Sequence, residues 1–154
     1  MDNKAIIESF YDSFLKGNTE GMIACYHDNI VFEDPAFGKL YGNDAKKMWQ
    51  MLLANNKGGI KITYSNVVAD AQTGSADWTA EYLFSRTAQK VHNKVHAEFV
   101  FADGKIISHI DSFDIWRWAR QALGWKAYLL GWSSFFQNKI RKQALKALSK
   151  FKPM

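Results

Sequence analysis

Apolar residues recur first at helical spacing and later in alternation. Ile6, Ile7, Phe10, Phe14 and Leu15 fall on one face of a helix. Asp2 or Asn3 caps its start, and Gly17-Asn18 ends it. Thr19-Glu20 opens a second helix through Met22, Ile23 and Tyr26, stopping near His27-Asp28-Asn29. Ile30-Val31-Phe32-Glu33 reads as a short strand broken by Asp34-Pro35, and Gly42-Asn43-Asp44 caps a third helix through Met48, Trp49, Leu52 and Leu53. Beyond the Asn55-to-Gly59 break, residues 60–69, 75–85, 91–101 and 105–113 read as strands. Gln72-Thr73-Gly74, Thr87-Ala88-Gln89 and Asp103-Gly104 separate them as turns. Such short connections favour antiparallel neighbours. Helical spacing then returns over 115–123, which Gly124 stops, and over roughly 134–150. Helices followed by a run of strands predict an α+β fold.

Length and composition set the scale. A chain of 154 residues fits one domain, and its 47% hydrophobic and 15% aromatic content fills a sizeable core. We expect a main domain over 1–132 and a C-terminal helical segment over 133–154 packed on it. A single cysteine, Cys25, excludes an intramolecular disulfide and suits a reducing compartment. The N-terminus has no apolar core of signal-peptide length, and no run approaches the roughly 20 apolar residues of a membrane span, so the expected location is cytoplasmic.

Charge changes the picture of the C-terminus. Every Asp and Glu lies at or before Asp114, and nine Lys and Arg residues follow it. The basic character therefore belongs to the last segment. In its helix, Phe136, Ile140, Ala144, Ala147, Leu148 and Phe151 share one face, and Lys139, Lys142, Lys146 and Lys150 share another. The favoured reading is a helix packed on the domain with a solvated lysine face. Contact with a membrane surface is the less favoured reading, and nucleic acid is not expected as a partner.

Three stretches carry a family resemblance: Phe10-Tyr11-Asp12-Ser13-Phe14, Val31-Phe32-Glu33-Asp34-Pro35 leading to Gly38 and Gly42, and the run from Asp103 to Asp114. With the order of elements, they resemble the nuclear transport factor 2-like superfamily. Within it the chain looks most like the SnoaL-like polyketide cyclases, the ketosteroid isomerases and the limonene-epoxide hydrolases. The resemblance implies a curved antiparallel sheet wrapped around N-terminal helices into a cone, with an added C-terminal helix. It also implies a ligand cavity inside the cone and a homodimer. In the epoxide hydrolases an acidic residue seven positions after the hairpin glycine takes part in catalysis; that position here is Asp111. Those hydrolases also carry an Arg-x-Asp pair, whose equivalent here is near Trp78-Thr79-Ala80, where neither charge is present. That absence speaks against epoxide hydrolysis.

On the last strand, His109, Asp111 and Phe113 share a face by alternation. The hairpin decides which face. A two-residue type I′ turn at Asp103-Gly104 pairs Asp111 with His96 and His109 with Glu98. A type I turn with a glycine bulge pairs Asp111 with Val95 and His109 with Ala97, on the face that carries Phe99. We prefer the second, which makes Val95, Ala97 and Phe99 a cavity wall. A carboxylate in an apolar cone becomes a usable proton acceptor near neutral pH, with a histidine as partner. Asp111 and His109 are therefore the candidate catalytic pair. Asp34 is a weaker second acid that also suits a plain Asp-Pro turn. Trp78, Tyr82, Val95, Ala97, Phe99 and Phe113 are the candidate ligand-binding residues. Trp116, Trp118, Trp125, Trp132, Phe135 and Phe136 make the C-terminal third aromatic, as a lid, a dimer contact or a docking surface. Asp114 suits the N-cap of the helix after the last strand.

No metal or cofactor is expected. His92 and His96 lie about 13 Å apart along a strand, too far to share an ion. No glycine-rich phosphate loop and no Ser/His/Asp or Cys/His set can be placed. Two functions remain. One is a small-molecule protein whose Asp111 and His109 move a proton in isomerisation, cyclisation or dehydration of an apolar ligand. The other is a non-catalytic dimeric interaction module that uses its aromatic, basic tail for protein or lipid contacts.

Overall fold

The computed structural model describes residues 2–56, 59–84, 87–124 and 134–153. Three helices, α1 (Asn3–Leu15), α2 (Thr19–Ala24) and α3 (Asn43–Asn55), pack against a six-stranded sheet. The strands are β1 (Tyr26–Asp34), β2 (Gly38–Tyr41), β3 (Lys61–Ala69), β4 (Thr73–Phe84), β5 (Gln89–Ala102) and β6 (Lys105–Ser112). They lie in the order β2-β1-β6-β5-β4-β3, a curved sheet that does not close. Two helices follow, α4 (Ile115–Leu123) and α5 (Ser134–Lys150). Trp125, Trp132 and the expected boundary at 132/133 lie outside the described residues.

The local signals explain most boundaries. Asp2 accepts from Ala5 N–H at 2.8 Å and caps α1, while Asp114 accepts from Trp116 and Arg117 N–H and caps α4. Three readings are corrected. Tyr26 opens β1 instead of ending α2, because it bridges to Ile106 and the Cys25 carbonyl accepts from Ile106 N–H at 2.8 Å. β2 was not foreseen. Asp34 Oδ1 accepts from Ala36 and Phe37 N–H and turns the chain back onto β1. The β1–β6 pair is parallel, since β1 reaches β6 across most of the sequence and not through a hairpin.

The sheet's concave face holds the core. On β5, Val91, Val95, Ala97, Phe99 and Phe101 are buried while the residues between them are mostly exposed. α1 lays Ile6, Ile7, Phe10, Tyr11 and Phe14 into the bowl, and α3 adds Met48 and Trp49. The inner face of α5 sets Leu148 into the same core, with Ala144 and Phe151 packed against it.

The β5–β6 hairpin settles the register and corrects both alternatives. Asp103 (φ 54°) and Gly104 (φ 74°) form the two-residue loop, and Ala102 pairs with Lys105. A bulge follows: Phe101 pairs with Ile106, but Val100 pairs with Ser108, so Ile107 is the extra residue. Beyond it His109 lies opposite Phe99, and Asp111 opposite Ala97. The tight turn alone sends these side chains outward, and the bulge reverses their parity. Both therefore share the inner face with Val95, Ala97 and Phe99.

Gly104 has open space where a Cβ would stand, so only its backbone conformation resists substitution. Gly104→Ala is expected to destabilise the domain by roughly 1 kcal/mol, read from urea unfolding midpoints. A change too small to measure would mean the left-handed turn carries no strain.

Candidate functional site

The inward step created by the bulge puts two polar side chains into an aromatic core. His109 is 0% exposed and Asp111 is 4% exposed. Phe10, Phe32 and Phe99 surround the His109 ring, with ring centroids at 5.4, 5.1 and 4.6 Å, and Trp49 stacks on it at 6.1 Å. Such burial requires that each nitrogen and oxygen find a partner.

A directed chain of hydrogen bonds satisfies them. Trp49 Nε1–H has no role but to donate, and it reaches the Tyr26 oxygen at 2.8 Å. Tyr26, its phenol held well above the ordinary range by burial, keeps its own proton for His109 Nδ1, 2.7 Å away. His109 Nδ1 is thereby the acceptor and Nε2 carries hydrogen, which it donates to Asp111 Oδ1 at 2.8 Å. Trp78 Nε1–H donates to the same oxygen at 3.3 Å. Both bonds fall on Oδ1, and among the described residues Oδ2 takes none. The carboxylate is thus gripped on one oxygen and free on the other.

Asp111 stands at the wall of a cavity of about 300 Å³. Phe14, Phe32, Trp49, Trp78, Val95 and Phe113 are among the apolar residues around it. Asp34 also lines the cavity. Its Oδ1 accepts from the backbone N–H of Ala36 at 2.9 Å and Phe37 at 2.6 Å. Burial drives its pKa from 3.8 up to about 7; the turn bond from Phe37 opposes this, the charge of Asp111 adds to it, and Arg141 opposes it weakly. Asp34 thus both turns the chain and stands at the cavity. Tyr82 reaches the cavity too, and its hydroxyl accepts from Trp118 Nε1–H of α4 at 2.8 Å.

The α5 helix lies along the same cavity, to which Ile140, Gln143, Ala144 and Ala147 contribute. Arg141 extends from it over the β1–β2 turn. A Cβ built on Gly38, whose φ is 72°, would stand 3.2 Å from Arg141 Nε.

Of the residues singled out in the sequence, Asp111, Asp34, Trp78, Tyr82, Val95 and Phe113 meet around one space. His109 stands behind Asp111 and is not in the cavity wall. Ala97 and Phe99 are buried beside the pair on β5 and do not line the cavity either. Tyr26 and Trp49 were missed as partners of His109. Trp49 was legible as an apolar helix-face residue, and a buried indole N–H calls for an acceptor. His92 and His96 lie on the outer sheet face, where His96 Nδ1 meets Asp77 Oδ1 at 2.7 Å. That contact raises His96 and lowers Asp77 from their ordinary values. Among the described residues no three His, Cys, Asp or Glu side chains converge as metal ligands.

Residues 7–109 match the SnoaL-like domain. The chain belongs to the SnoaL-like family. Solved structures agree on its nuclear transport factor 2-like fold. An NTF2-like protein from Burkholderia pseudomallei superposes with a TM-score of 0.68 at 14% identity, covering 79% of this chain and 98% of that one. An LEH-like epoxide hydrolase from M. tuberculosis gives 0.60 at 20% identity, over 84% and 95%. TerC, crystallised with polyporic acid, gives 0.61 at 18% identity, over 71% and 89%. At these identities the likeness is one of fold. No curated protein matches in sequence.

Tyr26→Phe removes the link between two buried nitrogens. It is expected to destabilise by about 2–4 kcal/mol in chemical unfolding, and Trp49→Phe should then add less than it does alone. Strict additivity would mean that the chain of bonds is not coupled.

Asp34 gives a pH signature. Its folded pKa of about 7 exceeds the ordinary 3.8, so the folded state holds this proton the more tightly. Its contribution is fully present below the lower value and is lost as pH rises through the higher one. Asp34→Asn is therefore expected to gain stability over wild type between pH 4 and pH 8, on the order of 3 kcal/mol. A wild-type-minus-variant difference that is flat across this range in urea titrations would contradict the raised pKa.

Proposed function

We propose that this SnoaL-like chain binds a small apolar molecule in its cone and moves a proton on it, in an isomerisation, cyclisation or dehydration. The observation that carries this reading is Asp111 at the cavity wall, with Oδ1 fixed by His109 and Trp78 and Oδ2 unengaged among the described residues. A base positioned in this way is ready to act without reorganising. Polyporic acid with TerC and the epoxide hydrolase name of another relative support small-ligand chemistry in the same fold.

In this proposal Asp111 Oδ2 removes a proton from a carbon beside a carbonyl. The electron pair moves onto the carbonyl oxygen. Asp34, with its pKa near 7, is protonated in about half the molecules at neutral pH and gives that oxygen its proton. Asp111 then returns its proton either to a different carbon, which completes an isomerisation, or to a departing β-hydroxyl that leaves as water, which completes a dehydration; in both the enol oxygen gives its proton back to Asp34 as the carbonyl reforms. His109 touches no ligand and acts through Asp111, holding the carboxylate in orientation. Tyr82 adds a hydroxyl to the wall and Trp78 an aromatic face, and Val95 and Phe113 exclude water.

The test needs no prior substrate. Cyclic and aromatic ketones that raise the thermal midpoint are incubated with the protein in D2O, and deuteration beside the carbonyl is followed by NMR. Wild type is expected to accelerate exchange, and Asp111→Asn to lose on the order of 100-fold or more while remaining folded. Bound ketones that never exchange, or an Asn variant as active as wild type, would sink the mechanism.

A further inference from the structure

The α5 helix has two working faces, and the cavity uses only one. At about 100° per residue, Lys139, Lys142, Lys146 and Lys150 fall within roughly 80° of arc, directly opposite Ala144 and Phe151. All four lysines are exposed, and Phe135 sits at the centre of their stripe, 80% exposed. Leu145, about 60° beyond Lys142 around the helix, is 38% exposed.

The charge on this helix is of one sign. Lys142, Lys146 and Lys150 follow one another at four-residue spacing, where like charges oppose helix formation. No Asp or Glu occurs in α5 or anywhere after Asp114 to offset them. An anionic surface laid against this face would relieve that repulsion. An exposed phenylalanine amid lysines, on a rod about 25 Å long, suits a surface that is anionic and has an apolar layer beneath its charge.

We propose that the outer face of α5 docks the protein on anionic membrane surfaces. The lysines engage lipid phosphates and Phe135 enters the acyl boundary, with the helix lying in the plane of the surface. Among the described residues no helix is long and apolar enough to cross a membrane, so the contact is peripheral. The inner face stays where it is, with Leu148 in the core and Ile140, Ala144 and Ala147 at the cavity. This inference does not rest on the proton-transfer reading, and it holds for a protein that only carries its ligand.

The test is flotation of the full chain with phosphatidylcholine vesicles, with and without phosphatidylglycerol. Binding is expected only with the anionic lipid, and it should weaken as salt rises. Each lysine near such a surface contributes about fivefold in partitioning, so Lys142→Gln with Lys146→Gln should lower binding on the order of 25-fold. Arg at both positions should restore it, and Phe135→Ser should weaken it at fixed charge. Unfolding midpoints of all variants report that the fold is kept. Absent binding, equal binding to both vesicle types, full binding by the double Gln variant, or displacement from vesicles by RNA would each overturn the proposal.

Discussion

A carboxylate set in an aromatic bowl has to be held by donors, and those donors have to be held in turn. That requirement organises this protein. Asp111 is gripped by His109 and Trp78, His109 by Tyr26, and Tyr26 by Trp49. Each link comes from a different element: β6, β4, β1 and α3. The polar chain therefore ties the central strands to the helix that closes over them. Removing one link leaves a buried nitrogen or oxygen unpaired, which is worse than never having placed it there.

The same chain separates two acids in role. Asp111 is fixed through side-chain N–H groups that aim it at the cavity. Asp34 is fixed through backbone N–H groups at a turn, and desolvation dominates it. One carboxyl group has a set direction; the other has a proton poised near neutral pH. A mainly apolar cavity wall that carries both is an environment where water competes poorly for either.

The legible parts of the fold were those governed by local rules. The helical face of Ile6, Ile7, Phe10 and Phe14, the alternation along β5 and the cap at Asp114 all appear where spacing puts them. The inward facing of Asp111 was expected, but by way of a register that does not occur. One extra residue, Ile107, decided it; the adjacent apolar pair Ile106-Ile107 breaks the alternation by a single step without showing which residue is the extra one. Tyr26 was drawn into α2 because its spacing from Met22 and Ile23 suits a helix. The pull toward β1 comes from Ile106, 80 positions later, which no local window contains. His109 was seen as a partner of Asp111, but its screening from the cavity depends on Phe32, Phe99 and Trp49 meeting in space.

The parallel pairing of β1 with β6 has a consequence for how the chain comes to be folded. β1 stands one strand in from the edge, with β2 on one side and β6 on the other. Until β6 has been synthesised, the inner edge of β1 shows a row of unpaired amides and carbonyls, and β1 and β2 have no bridge to the β3–β4–β5 meander that precedes β6 in the chain. Contacts that span so much sequence form late and slowly. Until that strand arrives, β1 is an open edge that another strand can pair with.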